Sequence, residues 1–254
     1  NLAKKTEITP FITGTNVDNR FFFGGGVQYI NKYFWSGGKV SNLTGTALIN
    51  SFDINRFEFS AAVTQPYLFN NRSTLTNKLT LGLYNLEQFR NYYAGNLTTL
   101  NYFISEKTFY NSASLDLNEE IVRFKYYDTD STLNLFNSIL SLTLTHDNTN
   151  DAFSPSSGLF HSITAGSAGL LSKLAIDGFG WNLNYSQYAK LYTTNRFYLR
   201  LGSKKRDPVL ATQFKVGSIF EYGSGDKLVP VQPIYKFFSG GGSSLRGWNA
   251  QENG

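Results

Sequence analysis

Long segments in which apolar and polar residues alternate with a period of two limit this chain's fold more than any other feature. In 75–83, Leu75, Leu79, Leu81 and Leu83 occupy odd positions, while Thr76, Lys78, Thr80 and Gly82 occupy even ones. In 139–146, Leu140, Leu142 and Leu144 oppose Ser141, Thr143 and Thr145. Residues 56–63, 113–121 and 181–191 read the same way, the last setting Trp181, Leu183, Tyr185, Ala189 and Leu191 against Asn182, Asn184, Ser186 and Lys190. Successive side chains of a strand point to opposite faces, so each pattern predicts a strand with one greasy and one polar face. Only a short piece near Leu133–Phe136 reads as helical.

The predicted strands are 5–14, 21–34, 39–50, 55–64, 75–87, 97–105, 108–122, 138–147, 158–168, 179–193 and 196–222, the last interrupted near Lys204–Asp207. Many reach ten residues, against about 5–6 in ordinary domains and about 9–11 in tilted membrane-spanning strands. Short connections (Ser36-Gly37-Gly38, Ser105-Glu106-Lys107, Thr193-Thr194-Asn195) alternate with longer ones (Gln88–Asn96, Arg123–Asn137, Leu170–Gly178). Outer-membrane barrels put short turns on the periplasmic side and long loops outside. Tyr33, Trp35, Tyr92, Tyr93, Tyr126, Tyr127, Trp181 and Tyr192 fall near strand ends, where an interfacial girdle belongs. Lipid offers no hydrogen bonds, so only helices and closed barrels cross it. The expected fold is therefore all-β, a transmembrane antiparallel barrel forming one domain over 1–254. A soluble sandwich or β-helix is the competing reading.

Composition narrows the function classes. Charged residues make up 16% of the chain and aromatics another 16%, whereas soluble domains carry about 25% charge. The net charge of +5 is scattered, and Lys204-Lys205-Arg206 reads as a solvated turn, so no nucleic-acid partner is expected. There is no cysteine and there are only two histidines, His146 and His161, which flank a turn and read as structural. No metal or other cofactor is expected. Glu119 and Glu120 read as a strand end rather than an acid–base pair. Gly166-Ser167-Ala168-Gly169 lacks the spacing of a nucleophile elbow. No catalytic residue is expected. No apolar run approaches the roughly 18 residues of a transmembrane helix, and Asn1 does not begin a signal peptide. The chain is thus expected to be mature, or a piece of something longer.

Two motifs carry a resemblance. Residues 237–248 read Phe-Phe-Ser-Gly-Gly-Gly-Ser-Ser-Leu-Arg-Gly-Trp, with Gly240, Gly241, Gly242, Leu245, Arg246, Gly247 and Trp248 as its key positions. Residues 147–158 contain Asp147, Phe153, Pro155 and Gly158 around a turn. Both resemble motifs of the Omp85 superfamily, the D15 surface antigen type, which includes BamA- and TamA-type assembly factors and two-partner secretion pores. Leu245 and Trp248 replace that family's usual Val and Phe or Tyr. Thr149 stands where many members carry Arg, which puts an ion pair there in doubt.

The resemblance implies a barrel in the outer membrane of a Gram-negative bacterium, with about sixteen strands in full, of which about eleven are present here. It implies POTRA domains before Asn1 and further strands after Gly254. The loop at 223–254 would fold into the lumen, with Arg246 held bidentately by acidic residues of those later strands. The segment 147–158 would be a periplasmic turn in mid-barrel. The implied partners are the lipid bilayer, unfolded outer-membrane protein clients, and accessory lipoproteins or periplasmic subunits. The implied activity is insertion of client barrels by strand addition at a lateral seam. The pairing edge would comprise Ile8, Pro10, Ile12 and Gly14. Pro10 either suits an edge that donates poorly or simply marks where the strand starts. A secretion pore, a passive channel and a barrel anchoring a fused enzyme are the alternatives.

Overall fold

The computed structural model describes residues 5–17, 20–35, 38–50, 53–85, 89–202, 207–232 and 235–237. Eleven strands follow one another: β1 (Thr6–Val17), β2 (Arg20–Asn31), β3 (Val40–Asn50), β4 (Asp53–Pro66), β5 (Ser73–Asn85), β6 (Phe89–Phe103), β7 (Ser112–Tyr126), β8 (Thr132–Asp147), β9 (Gly158–Ala168), β10 (Tyr188–Arg200) and β11 (Val209–Glu221). One helix, α1 (Leu170–Phe179), lies between β9 and β10. The strands form a single antiparallel sheet in chain order. Among the described residues, β1 and β11 are each paired on one side only. The strands run from 11 to 16 residues, long enough to cross a bilayer at a tilt.

Residues directly opposite across an antiparallel ladder share a face, so the registers define two surfaces. Leu81 faces Phe59 and Ala94, and Leu142 faces Leu115 and Ala165. This surface holds Ile8, Ile12, Phe21, Phe23, Val27, Leu79, Leu81, Leu140, Leu142, Phe214 and Phe220, each between 46% and 77% exposed. Soluble monomers rarely expose contiguous apolar patches beyond a few hundred Å². A greasy face running across eleven strands needs acyl chains as its solvent. A polar stripe crosses it, and its members satisfy one another: Asn77 Nδ2 donates to Asn96 Oδ1 and Thr98 Oγ1, both at 2.8 Å, and Asn96 Nδ2 donates to Glu119 at 3.3 Å.

The opposite surface is polar and cross-linked. Arg56 Nη2 meets Glu58 Oε2 at 2.7 Å, and the Tyr84 hydroxyl donates to the same oxygen at 2.8 Å. Thr99 donates to Asp116 at 2.6 Å, and Thr143 and Thr164 share a hydrogen bond at 2.8 Å. Among the described residues, apolar packing on this side gathers in two small clusters, Val122–Phe124–Leu135 and Ala168–Tyr188–Val231. The second is closed by Val231, from the segment that follows β11.

Several sequence expectations need correction. Leu133–Phe136 is not helical but lies in β8, and the helix occupies 170–179, where a loop was expected. Its buried Ser172 and Ile176 lie one turn apart among other apolar residues, so no clean helical stripe shows in the sequence. Gly169 (φ 86°) and Gly180 (φ 65°) bracket it in left-handed conformations. Ser138 N–H donates to Ser172 Oγ at 2.7 Å, tying α1 to β8.

The alternation over 181–187 does not form a long strand. That stretch makes only parallel bridges, Leu135 to Asn184 and Tyr185 to Leu228. Thr193-Thr194-Asn195 is mid-strand in β10. Its polar residues are satisfied there, Thr193 by Ser162 O at 3.0 Å and Asn195 by His161 at 2.6 Å. The expected loops 88–96 and 123–137 shrink to connections at 86–88 and 127–131.

The length alternation also runs the other way over the first eight strands. At one end of the sheet the connections are 18–19, 51–52, 86–88 and 127–131, and at the other they are 32–39, 67–72, 104–111, 148–157 and 201–208. Only the β9–β10 crossover and the segment after β11 lengthen the first end. Of the expected girdle, Tyr33, Trp35, Tyr92, Tyr127 and Trp181 are exposed, whereas Tyr93, Tyr126 and Tyr192 lie on the polar, inner face.

Leu142→Arg, on the outer face at mid-strand, should destabilise the barrel by about 2–4 kcal/mol, whereas Thr143→Arg should cost less. Equilibrium unfolding from lipid vesicles measures both, and equal effects would overturn the assignment of faces.

Candidate functional site

The predicted site residues fall into three places. The first is the free side of β1. Ile8, Pro10, Ile12 and Gly14 all lie on the outer face, with Ile8 69% and Ile12 77% exposed. Lys32 N–H donates to Lys5 O at 2.9 Å, and the β1–β2 register continues from there without a shift. Backbone direction also alternates with period two. Odd residues of β1 therefore bond to β2, and even residues aim their N–H and C=O at the open side. Pro10, an even residue, is the one that brings no N–H.

The second place is the turn between β8 and β9. Asp147 ends β8 and Gly158 begins β9. Asp147 Oδ1 accepts from Thr149 N at 3.0 Å and from Thr149 Oγ1 at 2.7 Å, so the threonine is tied to the aspartate by its own backbone and hydroxyl. Gly158 has φ 114°, and a Cβ there would stand 2.7 Å from Asn148 O, which excludes other residues. Phe153 is fully exposed at the tip, beside Pro155.

Sequence reading missed the residues that hold this turn. Asn150 Oδ1 accepts from Ser156 N (2.9 Å) and Ser157 N (3.0 Å), while its Nδ2 donates to Ser156 Oγ at 3.0 Å. Asn148 Oδ1 accepts from Leu159 N at 2.6 Å. Arg200 reaches Ser156 from the end of β10. The signal was present: Asn and Asp at alternate positions are the residues that clasp their own backbone. Asp151 accepts from Phe153 N and Ser154 N, both at 2.8 Å, and these hydrogen bonds hold its carboxyl below the usual carboxylate range.

The third place is the predicted lumenal loop. Gly240, Gly241, Gly242, Leu245, Arg246, Gly247 and Trp248 lie outside the described residues. The segment leading to them is described, and it folds back onto the inner face. Tyr185 N donates to Lys227 O, and Val229 N donates to Tyr185 O. Val229 packs on the Val122–Phe124–Leu135 cluster. Tyr126 Oη donates to Gln232 at 3.3 Å. Lys190 Nζ donates to Tyr235 O at 3.3 Å and sits 4.4 Å from the centre of the Phe237 ring. Tyr192 meets the same ring edge-on at 5.8 Å. Tyr235 is half-buried beside Glu120 and Asn137. Burial, reinforced by the Glu120 carboxylate, pushes its phenol well above the ordinary value, although the two groups make no aligned hydrogen bond.

Glu119 and Glu120 are not a strand end. They sit mid-strand in β7 and point to opposite faces, so they cannot act as a pair. His146 and His161 are cross-strand partners: His161 bridges Tyr110 and Asn195, and Phe109 stacks on His146. A groove of about 500 Å³ floored by Asn96 and Glu119 opens on the outer face between Phe59, Leu81, Ile121, Phe136 and Trp181.

An antiparallel sheet with a greasy outer face, a polar inner face and a segment returning along its inner wall defines a membrane β-barrel. Residues 13–254 match the Omp85 superfamily domain, and the chain belongs to that superfamily. Its fold is similar to the crystal structure of BamA from Haemophilus ducreyi lacking POTRA domains 1–3. The TM-score is 0.72 at 17% identity, covering 98% of this chain and 46% of that one. This chain therefore spans about half the length of that protein. No curated protein sequence matches it significantly.

Asn150→Ala should open the turn to proteolysis between Asp151 and Ser157 while leaving the barrel folded. Intact protection would show that the clasp is dispensable. The Asp151 clasp should stay in place above the ordinary carboxylate pKa and weaken as pH falls through the depressed value. Loss of amide protection at Phe153 and Ser154, followed by NMR, reads this out, and Asp151→Asn should flatten the profile.

Proposed function

We propose that this chain forms the greater part of an outer-membrane barrel of a Gram-negative bacterium that inserts and folds other barrel proteins. The observation that carries this reading is the free side of β1. It is a 12-residue strand, paired on one side only among the described residues, with exposed Ile8 and Ile12 toward lipid. Unpaired backbone groups in lipid demand a partner strand. A client strand can supply one by β-augmentation when the barrel's own closing strand gives way. Membership of the Omp85 superfamily supports the same reading. The segment seated along the inner wall argues against an open diffusion pore, since it occupies the lumenal face.

In this proposal no bond is made or broken, and the chain works without a catalytic residue or cofactor. POTRA domains and later strands complete the barrel, accessory lipoproteins or periplasmic subunits attend it, and the turn at 148–157 lies on the periplasmic side. Arg246 pins the lumenal loop to acidic residues of those later strands.

In the full-length protein, cysteine at Ile8 or Ile12 should form a disulfide with a cysteine in the terminal strand of a stalled client. Absence of any such adduct, in a barrel that closes normally, would falsify the pairing role. Arg246→Ala should slow client assembly and expose a protease site near Gly240. Unchanged assembly and protection would remove the loop from the mechanism.

A further inference from the structure

We infer that Pro10 splits the outward edge of β1 into two hydrogen-bonding blocks and obliges any strand that pairs there to carry one extra residue opposite the proline. The inference rests on the reading of β1 as a pairing edge. Its geometry, however, holds for whichever strand docks.

The direction of each peptide group in β1 follows from the Lys32–Lys5 hydrogen bond and the unbroken register from Thr6–Asn31 to Val17–Arg20. Ile8, Ile12 and Gly14 turn both N–H and C=O outward. Pro10 turns outward a carbonyl and, in place of the N–H, the Cδ of its ring. The nearest outward donors, at Ile8 and Ile12, are therefore four residues apart, about 13 Å along the strand.

A partner in regular antiparallel register would aim one carbonyl at the proline ring. That carbonyl would be crowded and left without a donor in a water-poor setting, which is costly for a buried acceptor. A β-bulge removes the conflict. It sets two residues opposite one, turns the offending carbonyl aside and resumes pairing beyond it. Proline inside a sheet is found at edges and bulges for this reason. β1 itself shows no shift against β2, so the extra residue falls to the incoming strand. A proline at an odd position, such as 9, would instead remove a donor to β2.

Two short blocks have a kinetic consequence. A closing strand held by separate blocks at Thr6–Ile8 and Ile12–Gly14 can be displaced one block at a time. Pro10 then serves as a register mark, since only one alignment places the bulge opposite it.

The 254 residues contain no cysteine, which suits disulfide mapping. In the full-length protein in its native membrane, cysteine is placed at Ile8 or Ile12 and paired with a series of single cysteines along the strand that closes the barrel. The preferred partners of positions 8 and 12 should lie five residues apart in the otherwise native protein and four apart in a Pro10→Ala background. A spacing of four in the native protein overturns the proposal, whether or not the Pro10→Ala variant folds. A spacing of five that persists in a folded Pro10→Ala barrel overturns it as well, because the bulge would then owe nothing to the proline. Repeating the series with a stalled client's terminal strand separates the two readings. A five-residue spacing to the closing strand, with no client adduct at either position, overturns the assembly role and leaves the geometry of Pro10 standing.

Discussion

Backbone amides and carbonyls find no partner in hydrocarbon, and the rest of this structure follows from that shortage. Each strand from β2 to β10 is bonded on both sides, in chain order, with one register irregularity near Leu48 and Ile49. The same demand explains why the β8–β9 turn is built from Asn148, Asn150 and Asp151, whose side chains take up the amides that the hairpin leaves over. It also explains why the free sides of β1 and β11 cannot remain bare in a bilayer.

Once the ladder is fixed, the pleat sorts chemistry by parity. Glu119 and Glu120 are adjacent, yet one joins an amide stripe on the lipid side and the other lies against the lumenal loop. Arg56, Glu58 and Tyr84 form a network that would be ruinous on the outer face and is ordinary on the inner one. The inner wall thus offers Lys190, Tyr192 and Glu120 as a seat for the chain that returns after β11. The outer wall offers little beyond contact with acyl chains.

Fold class was legible because alternation is a direct readout of the pleat. Where Leu140, Leu142 and Leu144 face Ser141, Thr143 and Thr145, no other secondary structure fits. Boundaries were legible only where turn residues interrupt the pattern. Thr193-Thr194-Asn195 looks like a turn by composition, but its polar groups bond across strands to Ser162 and His161, a satisfaction visible only in three dimensions. Helix α1 escaped for the converse reason. Leu170, Leu171, Leu174 and Phe179 are exposed, so its apolar residues do not mark a buried stripe. The edge residues Ile8 to Gly14 and the turn residues Asp147 and Gly158 were singled out through the family resemblance, not through periodicity. The direction of Pro10's nitrogen required the register, which a sequence does not carry.

The connections at one end of the sheet bear on how its first strands are held. β1 and β2 pair over twelve positions and are joined by only two residues, 18 and 19. β1 and β2 thus form one hairpin, bonded to each other along the whole of β1. At the next boundary, between β2 and β3, Gly24 and Gly26 let the backbones meet so closely that a Cβ would sit about 2 Å from a carbonyl of β3. A methyl group there would act as a wedge, prising the first hairpin from the rest of the sheet.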